Sequence, residues 1–145
     1  MVTETSVALC VARFYEELAD ALEQSARETL SAAGVHAVDT YAVPGAFELP
    51  VIAGYAARSG RYDAVVALGA VIRGETDHYR YVCGEAARGL QDVQCRTGVP
   101  VGFGVLTVDS LGQARDRVRG GAKRDTGTQA AEAALAALAV KRQLS

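Results

Sequence analysis

Apolar positions along the chain alternate between short continuous blocks and longer, spaced patterns. Residues 6–12 (SVALCVA) form an unbroken apolar run, the pattern of a strand covered on both faces. The period then changes. Leu18, Leu22, Ala26, Leu30 and Ala33 recur at helical spacing, and Gly34 supplies a stop. Residues 35–43 return to β-rich composition with partial alternation, which predicts a second strand. Pro44 and Gly45 break that strand within the sequence PGAFE, and Leu49, Ile52, Ala53 and Ala56 set out a second helix ending near Gly60. Residues 62–72 are apolar almost throughout, as a central strand is. Val82, Ala86, Leu90 and Val93 mark one face of a third helix that begins near Tyr79 and stops by Gly98. Residues 100–108 form the fourth strand, and the glycines on either side of Phe103 predict close approach by a ligand or another backbone. Ser110 and Gln113 have the spacing of a capping box, after which Leu111, Ala114 and Val118 are expected to face the core. A turn rich in Gly and charge (residues 119–127) precedes a last helix over residues 128–142, with Ala131, Leu135 and Leu138 on one side.

Strands alternating with helices through short connections predict right-handed βαβ units and one parallel sheet. The expected fold is α/β, a three-layer αβα sandwich with a flavodoxin-like four-stranded parallel sheet and helices on both faces, in a single domain over residues 1–145. Such sheets bind ligands beyond the C-terminal ends of their strands, where the strand order reverses. The segments expected at that edge are ARFY, VPGAFE, IRGETDH and FGVLTVD, and every polar or aromatic cluster of note falls in them.

Composition narrows the partners. A net charge of −2 and a pI near 5.7 do not suit a duplex-binding protein, so no nucleic acid is expected. No apolar run has membrane length, so no membrane partner is expected either. Three cysteines without close pairing suit a reducing cytoplasm, and with only His36 and His78 to assist them no metal site is expected. The dinucleotide fingerprint, the phosphate-binding P-loop and the nucleophile elbow are all missing. An enzyme of this sequence would work by one acid–base group and positioning, with no cofactor.

The stretch LGAVIRGETDH, residues 68–78, is the richest candidate. An apolar strand that ends in a Gly-containing turn and leads into a helix presents unpaired backbone N–H groups, which favour an anion. Thr76 either caps that helix or donates its hydroxyl to a phosphate. His78, with an ordinary pKa near 6.5, suits proton transfer near neutrality. Phe14 either stacks on a flat heterocycle or packs beneath its neighbour. Glu48 either bonds the hydroxyls of a sugar-like chain or favours a helix start. Backbone groups over residues 46–48 and 70–72 are placed to read a ring edge. Arg117 either clamps a phosphate or belongs to a solvated face.

VARFY, VPGAFELP, LGAVIRGETDHYRYVC, TGVPVGFGVLT and QARDR, in this order and spacing, resemble the lumazine synthases of riboflavin biosynthesis, and the resemblance spans almost the whole chain. It implies a transferase that condenses 5-amino-6-(D-ribitylamino)uracil with 3,4-dihydroxy-2-butanone 4-phosphate, releasing phosphate and water. Phe14 would stack on the pyrimidine. Ala46, Phe47 and Glu48 would hold the ring and ribityl chain, and Ala70, Val71 and Ile72 would meet the pyrimidine through their backbone. Glu75, Thr76 and Arg117 would bind the phosphate, His78 would shuttle protons, and Phe103 of a neighbouring subunit would close the site. The family further implies a pentamer with sites between subunits, assembly of some members into icosahedral shells, and riboflavin synthase as a partner. The sequence departs from the family at RDTG, where Thr126 takes the place of a usual lysine, in the length of the preceding turn, and in a brief arm before the first strand. The alternatives are a flavin- or lumazine-binding paralogue without turnover, a shell-forming structural protein, and an archaeal-type riboflavin synthase. The phosphate apparatus opposes the last, because lumazine carries no phosphate.

Overall fold

A computed structural model describes residues 4–145, so residues 1–3, the start of the expected domain and most of its brief arm, lie outside the described residues. Four strands, β1 (Ser6–Ala12), β2 (Ala37–Val43), β3 (Ala64–Ile72) and β4 (Val101–Val108), form one sheet in the order β2-β1-β3-β4. Every pairing is parallel, with Val7 opposite both Val38 and Ala64, and Ala67 opposite Phe103. The helices are α1 (Glu16–Ala32), α2 (Leu49–Arg58), α3 (His78–Thr97), α4 (Leu111–Asp116) and α5 (Thr126–Gln143), with a 3-10 turn at Ala46–Glu48. The flavodoxin-like order and both helical layers agree with the expected α/β sandwich. No described helix is long and apolar enough to cross a membrane.

Successive side chains of a strand point to opposite faces, and here both faces are covered. Val7, Leu9 and Val11 of β1 join Leu18, Leu22 and Leu30 of α1 and the alanines of α5. Ala8, Cys10 and Ala12 join Leu49 and Ala53 of α2 and Val82, Ala86 and Leu90 of α3. This double covering is why residues 6–12 show no alternation in the sequence. Leu9, Leu22, Leu30, Leu49, Leu68 and Leu90 are fully buried, each contributing roughly 1.5–3 kcal/mol relative to exposure.

Local chemistry sets the element ends. Gly34, at φ +84°, closes α1. Its N–H donates to the Ser31 carbonyl (3.0 Å) and the Val35 N–H reaches back to the Leu30 carbonyl (2.9 Å), the two bonds of a left-handed helix stop. Val35 is thereby drawn into the core, and β2 begins at Ala37 rather than at residue 35. The last helix begins at Thr126, two residues before the expected start. Asp125 caps it, its Oδ1 accepting the Thr128 N–H at 3.0 Å while Oδ2 accepts the Ser25 hydroxyl at 2.7 Å. Ser110 accepts the Gln113 N–H as the spacing predicts (3.1 Å), but Gln113 returns its side-chain oxygen to the N–H of Asp109 (2.7 Å).

Three expected core positions differ. Ala33 is exposed in the cap of α1, Leu111 stands 41% exposed at the first turn of α4, and Leu135 is half-buried. The buried side of α5 is made instead of Gly127, which lies against Leu22 and Ser25 of α1, and of Ala130, Ala131, Ala134 and Leu138. The β4 glycines explain this choice. A Cβ at Gly102 would lie 2.1 Å from the Ala130 carbonyl oxygen, and one at Gly104 would lie 2.9 Å from the Ala130 Cβ. Of the two causes expected for these glycines, close backbone approach is the one observed at Gly102, while Gly104 makes room for the Leu68 side chain (2.6 Å) and the Ala130 Cβ.

Candidate active site

The C-terminal ends of β1 and β3, the 3-10 turn and the start of α3 enclose a cavity of about 620 Å³. Phe14 stands just beyond β1, 73% exposed, in a T-shaped pair with the Tyr15 ring at a centroid distance of 4.9 Å. It therefore does not pack beneath a neighbour. Beyond β2, the Gly45 N–H donates to Glu48 Oε1 at 3.0 Å, and the Glu48 N–H donates to the Gly45 carbonyl at 3.2 Å. One carboxylate oxygen of Glu48 thus fastens its own turn and the other remains for a ligand hydroxyl. Leu49, fully buried, anchors the turn from the α2 side.

Ala70, Val71 and Ile72 line the cavity at the end of β3, where the strand outruns β1: their ladder partners are Leu106, Thr107 and Val108 of β4. One side of this stretch therefore has free backbone groups facing the cavity. The next residue is held firmly. The Arg73 N–H donates to the Val108 carbonyl (2.9 Å), its Nε donates to Asp109 Oδ1 (2.9 Å), and the guanidinium lies over the Tyr79 ring at 4.4 Å.

His78 is the first residue of α3 and lines the cavity. Its N–H donates to Thr76 Oγ1 at 3.3 Å, so Thr76 takes up one of the helix's open donors, while Asp77, immediately before the helix, makes no side-chain cap. The expected helix start at Tyr79 moves by one residue. Thr76 and Glu75 lie in the exposed loop between β3 and α3, outside the cavity lining.

The cavity thus gathers Phe14, Ala46, Phe47, Glu48, Ala70, Val71, Ile72 and His78 from four separate segments. It also gathers Tyr15 and Tyr81, which the sequence reading passed over. Tyr81 lies three residues after His78, a spacing that places both on one helix face and would have marked it. Tyr15 adjoins Phe14 and carries no comparable signal.

Phe103 and Arg117 are not brought in. Phe103 sits opposite Ala67, three residues before Ala70, which is roughly 10 Å along the strand. It is 43% exposed on the edge strand. Arg117 follows α4; its Nη1 donates to the Gln113 carbonyl (2.9 Å), and its own carbonyl accepts the Thr126 N–H (2.8 Å). Residues 117 and 126 are therefore hydrogen-bonded neighbours. Neither Cys10 nor Cys83 is an activated nucleophile: burial pushes the Cys10 thiol up to about 12, and burial also raises Cys83. Among the described residues, no group of three or more His, Cys, Asp or Glu is placed to hold a metal ion.

The sequence profile of 6,7-dimethyl-8-ribityllumazine synthase matches residues 4–142. The chain belongs to the lumazine synthase family. It is 53% identical over 130 residues to the 6,7-dimethyl-8-ribityllumazine synthase of Kineococcus radiotolerans, covering 89% of this chain and 80% of that one. Over 144 residues it is 46% identical to the 6,7-dimethyl-8-ribityllumazine synthase of Pseudarthrobacter chlorophenolicus, covering 99% of this chain and 88% of that one. As in a ligand pocket of this size generally, most of the cavity wall is aromatic or apolar, and its polar side chains are few: Glu48, His78 and the two tyrosines. Aromatic walls suit a flat ring, a carboxylate at one end suits a polyhydroxyl chain, and an imidazole at a helix N-terminus suits proton transfer next to an anion.

Proposed function

We propose that the chain catalyses the condensation of 5-amino-6-(D-ribitylamino)uracil with 3,4-dihydroxy-2-butanone 4-phosphate to 6,7-dimethyl-8-ribityllumazine, with release of phosphate and water. The observation that carries this reading is the convergence of Phe14, the 46–48 turn, the end of β3 and His78 on one cavity, in a chain of the lumazine synthase family. In this reading Phe14 stacks on the pyrimidine, backbone groups over residues 70–72 meet its edge, and the free oxygen of Glu48 takes ribityl hydroxyls. Ala46 and Phe47 close the ring's other side. The phosphate lies at the start of α3 near Glu75 and Thr76. His78 then moves protons between the reacting nitrogen, the ketone oxygen and the leaving groups. Holding an amine against a ketone in reacting geometry supplies up to ~7–11 kcal/mol without a covalent intermediate on the protein.

The same proposal makes the working form an oligomer, a pentamer, in which Phe103 and Arg117 of one subunit complete the cavity of the next. Its support is the surface. Phe47, Val51 and Tyr55 recur every four residues along the outer side of the 3-10 turn and α2, all exposed, while Phe103 is exposed on the edge strand β4. Apolar surface at two separate places suits a head-to-tail ring. The proposal further takes the chain as one domain throughout, working in the cytoplasm.

Mixing the purified protein with both substrates and following lumazine absorbance together with phosphate release tests the reaction. Turnover well above the spontaneous condensation is expected; lumazine or flavin binding without any acceleration would instead favour the paralogue without turnover. Arg117→Ala is expected to raise KM for the phosphorylated ketone about tenfold, the scale of one charge-assisted hydrogen bond. A fall in pyrimidine affinity in its place would remove Arg117 from the phosphate.

A further inference from the structure

Arg13 lies outside the cavity, yet it joins the two loops that form the aromatic wall. Its backbone N–H donates to the Val43 carbonyl at 2.9 Å, which couples the exits of β1 and β2 immediately before Phe14 and Pro44. Its guanidinium is spread over three carboxylates of α1: Nε donates to Glu16 at 3.0 Å, Nη1 to Glu23 at 3.3 Å, and Nη2 to Asp20. Glu23 is held in turn by Arg27 Nε at 3.1 Å. Residues 16, 20 and 23 recur at the spacing of a single helix face, so one planar fork spans two turns of α1.

An isolated surface ion pair contributes little. Here the side chain is only 23% exposed and meets three acids at once. Between this anchor and α1 stand Phe14 and Tyr15, and Tyr15, the residue before the helix, makes no side-chain cap. The placement of the Phe14 ring thus depends on the backbone that Arg13 fastens at one end and on the first turn of α1 at the other.

We infer that Arg13 is a positioning residue for the flat-ring substrate. Its fork on α1 and its bond to Val43 set the distance between Phe14 and the 44–48 turn, and so the width of the slot that receives the pyrimidine. No bond of Arg13 reaches the loop before α3, where the phosphate is proposed to lie, so the other substrate is expected to be unaffected. This inference rests on the proposed synthase reaction.

The test is Arg13→Gln and Arg13→Lys beside the unaltered protein. Each substrate is varied separately, and the lumazine product is titrated by the quenching of its fluorescence. Arg13→Gln is expected to raise KM for the pyrimidine and Kd for lumazine about tenfold, with kcat and KM for the phosphorylated ketone within about twofold, in keeping with the sensitivity of bound geometry to small displacements. Arg13→Lys, which keeps the charge and loses the fork, is expected to restore part of the lost affinity. Unchanged pyrimidine and lumazine affinity would overturn the inference. So would an equal rise in both Michaelis constants, the mark of general loosening. If Arg13→Gln does not fold, Glu16→Gln and Asp20→Asn each remove one arm and must show the same selective loss, about two- to threefold, for the inference to stand. Absence of turnover in the unaltered protein would sink the reaction instead, and the lumazine titration would still decide the role of Arg13.

Discussion

His78→Ala is expected to lower kcat by about a hundredfold, the lower end of what a positioned general acid–base group contributes, while pyrimidine affinity stays within about twofold. The asymmetry follows from where the residue sits. Phe14, the 46–48 turn and residues 70–72 line the cavity without help from the imidazole. His78 is attached through its backbone, with its N–H on Thr76 Oγ1, so removal of the side chain leaves the start of α3 in place. The loss therefore falls on the proton transfers that accompany attack on the ketone and departure of phosphate, and not on binding. Steady-state kinetics with each substrate varied, beside a titration with lumazine, separates the two. An unchanged kcat would remove His78 from the mechanism. A fall in pyrimidine affinity would make it a binding residue.

Gly102→Ala is expected to destabilise the fold by about 3 kcal/mol or more, at the upper end of the cost of overpacking. The added Cβ would stand 2.1 Å from the Ala130 carbonyl oxygen and 2.9 Å from its carbon, both backbone atoms. A flexible side chain could turn away from such a clash, whereas the backbone of α5 has nowhere to go. Asp125 pins the helix start through Thr128 and Ser25, and Gly104 holds the same helix to β4 one pleat further on. For a chain of 145 residues this corresponds to a melting point lower by roughly 6–12 °C. Thermal or denaturant unfolding reads it directly. A midpoint equal to that of the unaltered protein would mean that α5 does not lie on β4 as described.

Much of this architecture was legible in the chain. Continuous apolar runs named β1 and the interior strand β3, because a strand covered on both faces has no polar side to show. The 3.6-residue recurrence named the buried faces of α1 and α3, and Gly34 and Gly98 marked their ends. The motif segments pointed to one edge of the sheet, since a parallel sheet places all its βα connections there. Less was legible in α5. Its buried side is nearly all alanine and glycine, so it has little amphipathic contrast, and the choice of Leu135 over Ala134 followed size rather than contact. Asp125 was a readable cap that the Gly- and charge-rich context obscured.

Residue identity and order determined the fold class, the strand sequence, the family and the candidate residues, because each of these rests on local spacing and composition. Tertiary structure alone decided three other matters. The Ala130 backbone of α5 is what Gly102 of β4 accommodates, because close approach is a property of two backbones. Tyr15 and Tyr81 join the cavity, because lining depends on the distance across it. Phe103 and Arg117 stay outside the cavity of their own chain, because the register of β4 against β3 places Phe103 upstream of the strand end, and the α4–α5 turn keeps Arg117 beside Thr126. Side-chain period follows from the covalent chain, whereas which segments meet follows from how the layers pack.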